Sequence, residues 1–102
     1  AFGAHGLKAV LTDEMKAVYE TGVRYQIYHA LGLFVVAWLS SRAPSRAADW
    51  AGWCFLGGIM LFSGSLYALS LTAIRRFGAI TPVGGLLFLA GWLALFIAAR
   101  RP

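Results

Sequence analysis

The sequence predicts an all-α integral membrane helical bundle, and three observations carry that prediction. The 102-residue chain is 60% hydrophobic and only 13% charged, against roughly 45–50% apolar and about 25% charged in soluble domains. Its mean hydropathy is +0.71. Residues 51–74 and 77–99 carry no formal charge, and at ~1.5 Å per residue either run crosses a hydrocarbon core ~30 Å thick. The basic residues sit at the ends of the apolar runs, as flanking anchors do. They come as Lys8, Lys16 and Arg24, then Arg42 and Arg46, Arg75 and Arg76, and finally Arg100 and Arg101. A net charge of +5 spread in this way does not form the single basic face that nucleic acid requires. One domain, 1–102, accommodates the whole chain.

The chain opens Ala-Phe-Gly-Ala-His-Gly, short, small-residue and mildly apolar. It reads like the tail of a preceding span, so a fourth helix is expected upstream of the three within the chain. Residues 11–20 predict a short interfacial helix. Thr12 can cap it, Asp13 and Glu14 suit the positive end of the helix dipole, and Leu11, Met15 and Val18 form one apolar edge. That helix can also run on through Thr21 and Gly22. The first span is expected at about 22–41, with Glu20 placed four residues before Arg24 for an ion pair. Pro44 and the Ser-Arg steps around it predict an exposed turn. Trp50 and Trp53 then mark the membrane boundary of a second span at about 51–74. A third is expected at about 80–99, with Pro82 in its first turn, where the absent N–H costs nothing. Three spans place Lys8, Lys16, Arg24, Arg75 and Arg76 on one side and four arginines on the other, a margin that does not orient the chain.

The first span begins with an unusual polar run, Arg24-Tyr25-Gln26-Ile27-Tyr28-His29. On a helix, Arg24, Tyr25, Tyr28 and His29 fall within about 140° of arc, with Gly32 inside the same sector. A histidine about 7.5 Å deeper than Arg24 is a functional hypothesis, because ionisable groups are costly in lipid. The stripe suits a proton relay or a ligand head group. In the plainer reading Arg24 snorkels to the head groups beside Glu20 and the tyrosines join the aromatic belt. His29 then gives one hydrogen bond to a facing helix.

Glycines recur at packing intervals. Gly57 and Gly64 are seven apart, Gly64 and Ala68 make a small-xxx-small pair, and Gly84 and Gly91 repeat the spacing in the third span. Small residues let backbones approach, so these positions, with Gly32, are the expected helix contacts. Ser63 and Ser70 are expected as interhelical hydrogen-bond donors. Cys54 is the single cysteine, a small packing residue within the second span. The four carboxylates, Asp13, Glu14, Glu20 and Asp49, lie outside the spans, so no intramembrane acid pair forms. No HExxH, GxSxG or P-loop pattern occurs, and His5 and His29 alone do not specify a haem. No catalytic residue, metal or cofactor is expected.

The segments AFGAHGLK, GVRYQIYHALGLF, GGIMLFSGSLYALSLT and RRFGAITPVGGLLFLAGW, in this order, resemble the domain of unknown function 423 family. These are small bacterial membrane proteins related to eukaryotic transmembrane protein 256. The RYQ-x-YH and G-x-ITP-x-GG elements are the specific ones. The resemblance implies a four-helix membrane protein whose first helix ends in the opening segment here, and it implies no activity. The expected function is therefore that of a non-enzymatic accessory or scaffold protein of the bacterial inner membrane. It would contact lipids and pack against other membrane subunits or a copy of itself. The alternative is a small transporter or proton-conducting element using Arg24, Tyr25, Tyr28 and His29.

Overall fold

The structure is a computed structural model that describes residues 12–100; the expected upstream helix, His5 and Lys8 lie outside these. Helix α1 spans Asp13–Arg42, α2 spans Arg46–Gly58 and α3 spans Gly64–Thr72, with a π-helical turn at Ile59–Ser63 joining the last two into one rod. A 3-10 turn at Arg75–Ala79 leads to α4 at Thr81–Arg100. Among the described residues two stretches are long and apolar enough to cross a membrane, Arg46–Thr72 and Arg75–Arg100. Helix α1, at 30 residues, reaches ~45 Å and carries the charge-free stretch 25–41 in its second half.

Of the two readings of 11–20, a separate interfacial helix or one that runs on into the first span, the second describes the single helix Asp13–Arg42. Thr12 caps the helix by accepting from the Met15 N–H at 3.1 Å. The helix continues through Thr21 and Gly22 because both are accommodated locally. The Thr21 hydroxyl donates to the Ala17 carbonyl. Gly22 is buried where a Cβ would stand 3.0 Å from the Tyr67 ring. Gly22 is thus a close-packing position of α1.

The α2–α3 rod lies in the middle. α1 packs antiparallel to it, with Gly32 on Phe55 and Gly22 on Tyr67 and Leu66, and α4 packs antiparallel on its other flank. The extents are 52 × 27 × 13 Å, and 13 Å is little more than one helix diameter. Large apolar side chains such as Phe34, Trp38, Met60, Leu86, Leu89 and Phe96 are exposed. In water such a surface is anomalous; in lipid it is the solvent-facing surface. The core is a narrow seam of Val36, Ala51, Phe55, Phe88 and Leu95.

The α4 seam is built from glycine–phenylalanine contacts. A Cβ on Gly91 would come 2.7 Å from the Phe55 ring, one on Gly58 would overlap the Phe88 ring, and one on Gly84 would stand 2.8 Å from Phe62 Cα, against backbone. Gly57 makes an ordinary contact, with Leu87 Cδ1 3.4 Å from the Cβ position. The expectation for Gly64 fails: nothing lies within 4 Å of its Cβ position. The cause is the π turn, in which the Gly64 N–H reaches back five residues to the Ile59 carbonyl. The wider turn breaks the α-helical phase, so residues seven apart across it no longer share a face. Its partner Ala68 is only half-buried. Ser70 also departs from expectation, since its hydroxyl donates to the Tyr67 carbonyl of its own helix.

Two outcomes follow from this packing. Gly84→Ala and Gly91→Ala should each destabilise the protein by about 1–3 kcal/mol, the range for overpacking. Gly64→Ala should be neutral or stabilising by up to ~1 kcal/mol, because alanine favours the helix and meets nothing. Unfolding by sodium dodecyl sulfate in mixed micelles measures all three, and equal losses at Gly64 and Gly84 would contradict the rotation assigned to the π turn. Ala73 ends α3 at φ 58°, ψ 18°, with its N–H on the Leu69 carbonyl. A residue with Cβ is strained there and glycine is not, so Ala73→Gly should raise stability by about 0.5–1 kcal/mol in the same assay.

Candidate functional site

The polar run of α1 divides once the helix is packed. His29 is 5% exposed, whereas Tyr25 is 39% and Tyr28 52% exposed, and Arg24 is also exposed. One member of the expected stripe therefore enters the seam and the others border the outside. The periodicity is right but the sector is wider than the contact. α1 meets the rod along Met15, Gly22, His29, Gly32 and Val36, and His29 lies on that line.

Around His29 the three rods converge. Its imidazole lies on the Phe88 ring of α4, with centroids 3.5 Å apart and planes within 7°. The Phe55 ring of α2 stands edge-on at 5.6 Å. Phe55 in turn stacks edge-to-face with Trp92 at 4.7 Å. His29 Nδ1 is 2.7 Å from the Tyr25 carbonyl oxygen, and Nε2 is 2.9 Å from Trp92 Nε1. Indole N–H is only a donor, so Nε2 must accept. The ring proton is then on Nδ1 and donates to the Tyr25 carbonyl. The neutral imidazole meets both partners with one donor and one acceptor, and this tautomer alone does so. Tyr25 contributes its backbone carbonyl, while its ring packs on Phe62 at 4.8 Å and Tyr28 at 5.8 Å.

Further polar groups tie the rods along their length. The Ser63 hydroxyl, 1% exposed, donates to the Gly22 carbonyl at 2.7 Å. This is the interhelical bond expected of Ser63. Ser65 and Thr81 share a hydrogen bond between α3 and α4, and the Tyr67 hydroxyl donates to Gln26 Oε1. Among the described residues every buried side-chain nitrogen and oxygen has a partner.

The expected Arg24–Glu20 ion pair does not form. Among the described residues the ion pair is Arg75–Glu14, at 3.3 Å, with both side chains mostly exposed. It joins the start of α1 to the turn before α4. Exposed pairs of this kind contribute about 0–1 kcal/mol, too little to hold Arg24 and Glu20 in one geometry.

Gln26 and Trp92 are the site residues that the sequence reading passed over, and both left a signal. An amide inside a span is costly unless paired, which points from Gln26 to a hydroxyl on a neighbour. Trp92 lies eleven residues into α4, ~16 Å from its start, and so away from the interface where tryptophans usually sit. A tryptophan at that depth needs an acceptor for its N–H. His29 is that acceptor.

A family model described as "Protein of unknown function (DUF423)" matches residues 1–85. A UPF0382 membrane protein of Staphylococcus haemolyticus is 54% identical over 101 residues, covering 99% of this chain and 82% of its own length. A UPF0382 membrane protein of Staphylococcus epidermidis is 52% identical with the same coverage. The Bacillus subtilis UPF0382 membrane protein YwdK is 51% identical over 102 residues, covering 99% of this chain and 83% of its own length. No solved structure matches the chain. Both specific elements, RYQ-x-YH and G-x-ITP-x-GG, fall inside the matched residues, and the chain belongs to the DUF423 family of small helical membrane proteins.

Proposed function

We propose that this protein is a non-enzymatic packing element of the bacterial cytoplasmic membrane, an accessory or scaffold component that associates with a larger membrane complex or with its own copies. The observation that carries the reading is the state of His29. The ionisable group set deepest in the seam spends both ring nitrogens on structure, one on the Tyr25 carbonyl and one on the Trp92 indole. A relay histidine must exchange its proton with a second group. Here the nitrogen that would receive a proton already accepts from a donor that has no acceptor function to offer.

The shape supports the same reading. The rods form a thin layer whose broad faces carry exposed Leu, Phe, Trp and Ile side chains, a surface suited to lipid and to further helices. The close-packing glycines Gly58, Gly84 and Gly91 are consumed inside the chain. Association would therefore use the large apolar side chains on the outer faces rather than those glycines.

Substitutions at His29 separate a structural role from a relay. His29→Leu leaves the Trp92 N–H without its acceptor and should cost about 1–2 kcal/mol, between the usual intramembrane bond and a fully unsatisfied donor. His29→Gln retains an acceptor and a donor and should cost less than about 1 kcal/mol. Proton flux through liposomes reconstituted with the parent protein should equal that of empty liposomes and should not change in either variant. A pH-dependent flux in the parent that vanishes in His29→Gln, with assembly intact, would establish the conducting element instead.

A further inference from the structure

At the end of the layer where α1 stops and α2 begins, two adjoining recesses share Asp49 and Trp53. The outer one, about 410 Å³, is walled by Arg46, Asp49, Trp50 and Trp53. The inner one, about 280 Å³, runs between α1 and α2 over Leu33, Val36, Gly52 and Leu56. Trp50 and Trp53 are 65% and 69% exposed, as rings in the interfacial belt are. From Asp49 to Leu56 the groove descends seven residues, or ~10 Å. Gly52 lines it, and the nearest atom to its Cβ position is Val36 Cγ1 at 3.4 Å, on the facing helix. The open groove is thus amphiphilic, charged at the Arg46–Asp49 end and apolar along Leu33, Val36 and Leu56.

The charges at the mouth are of both signs. Arg46 and Asp49 lie three residues apart on α2, and among the described residues neither enters an ion pair. Asp49 is the one carboxylate described at this end of the layer, where Arg42, Arg46 and Arg100 also lie. An acid in the first turn of a helix is favoured by the dipole whatever it faces. The dipole does not account for an arginine and an acid sharing the rim of an apolar groove between two tryptophans.

We propose that this groove binds a phospholipid whose head group carries both a phosphate and a primary ammonium, as phosphatidylethanolamine does. The Arg46 guanidinium takes the phosphate, a pairing suited to its forked donors. The ammonium donates to the Asp49 carboxylate, and one acyl chain lies along Leu33, Val36 and Leu56. A choline head group has the same charges but no N–H to donate. A glycerol head group has no cation for Asp49 and leaves the carboxylate beside a net anion. The site therefore discriminates through Asp49 and retains through Arg46.

Native mass spectrometry of the full chain in mild detergent tests this, with phosphatidylethanolamine, phosphatidylcholine and phosphatidylglycerol of matched acyl chains. The expected result is about fivefold tighter retention of phosphatidylethanolamine than of either other lipid, the factor that one exposed ammonium–carboxylate hydrogen bond supplies. Asp49→Asn should bring phosphatidylethanolamine and phosphatidylcholine within twofold of each other. Arg46→Gln should weaken both by a similar factor, and Gly52→Leu should abolish retention. Circular dichroism and the thermal midpoint check that each variant is folded, and Arg46 and Asp49 are exposed, outside the core. Equal retention of the three lipids by the parent, or a preference that survives Asp49→Asn, would overturn the proposal. Stronger retention of phosphatidylglycerol would reduce the site to a plain cationic rim and overturn it too. A lipid-free dimer lost in Gly52→Leu would mean that a second copy fills the groove.

Discussion

The fit of α4 against the central rod is the constraint on which the rest of the structure depends. Lipid is as apolar as the helix surfaces, so burial alone does not drive the rods together, and close van der Waals contact must. Gly58 accepts the Phe88 ring, Gly91 accepts the Phe55 ring, and Gly84 sits on the Phe62 backbone. These three contacts lock α4 to the rod at three levels. They also bring Phe55 and Phe88 to one depth, which makes the surface that the His29 ring lies on.

The second flank depends on the first. α1 reaches the rod through Gly32 on Phe55 and Gly22 on Tyr67, and it is held there by polar groups that lipid would otherwise leave unpaired. His29 to Trp92, Ser63 to the Gly22 carbonyl, and Tyr67 to Gln26 each join α1 to another rod. In water such bonds exchange with solvent; in hydrocarbon the alternative is an unmet donor, so they specify register even where each adds little net stability. The Phe88-backed histidine is the strictest of them, because a single tautomer satisfies both of its neighbours.

The π turn links these two flanks. It lies where Phe62 meets Gly84 on one side and where Ser63 reaches Gly22 on the other. A uniform α-helix would keep one phase from Arg46 to Thr72. The wider turn lets α2 set its face to α4 through Phe55 and Gly58, while the end of the turn offers Ser63 and α3 offers Leu66 and Tyr67 to α1. Turns of this kind often mark functional positions. Here the position serves both interfaces.

Membrane class and the all-helical fold were legible in the sequence, because charge-free runs and their basic flanks reflect the solvent itself and not any particular partner. The same holds for His29 as the exceptional residue, since an imidazole in an apolar run is costly wherever it points. What faces what was not legible. Helical phase predicts a stripe from Arg24 to His29, but only the tertiary contacts show that His29 enters while Arg24 and Tyr28 stay outside. Gly64 shares the spacing of Gly57, Gly84 and Gly91, yet it faces open space, because a π turn adds a phase shift that no residue in Ile59–Ser63 announces. Gly22 carries no packing signal of its own in the sequence, yet it is a contact on Tyr67. A sequence carries the period of a helix, which is local backbone geometry; the choice of neighbour for each face is made between segments far apart in the chain, and only the packed structure contains it.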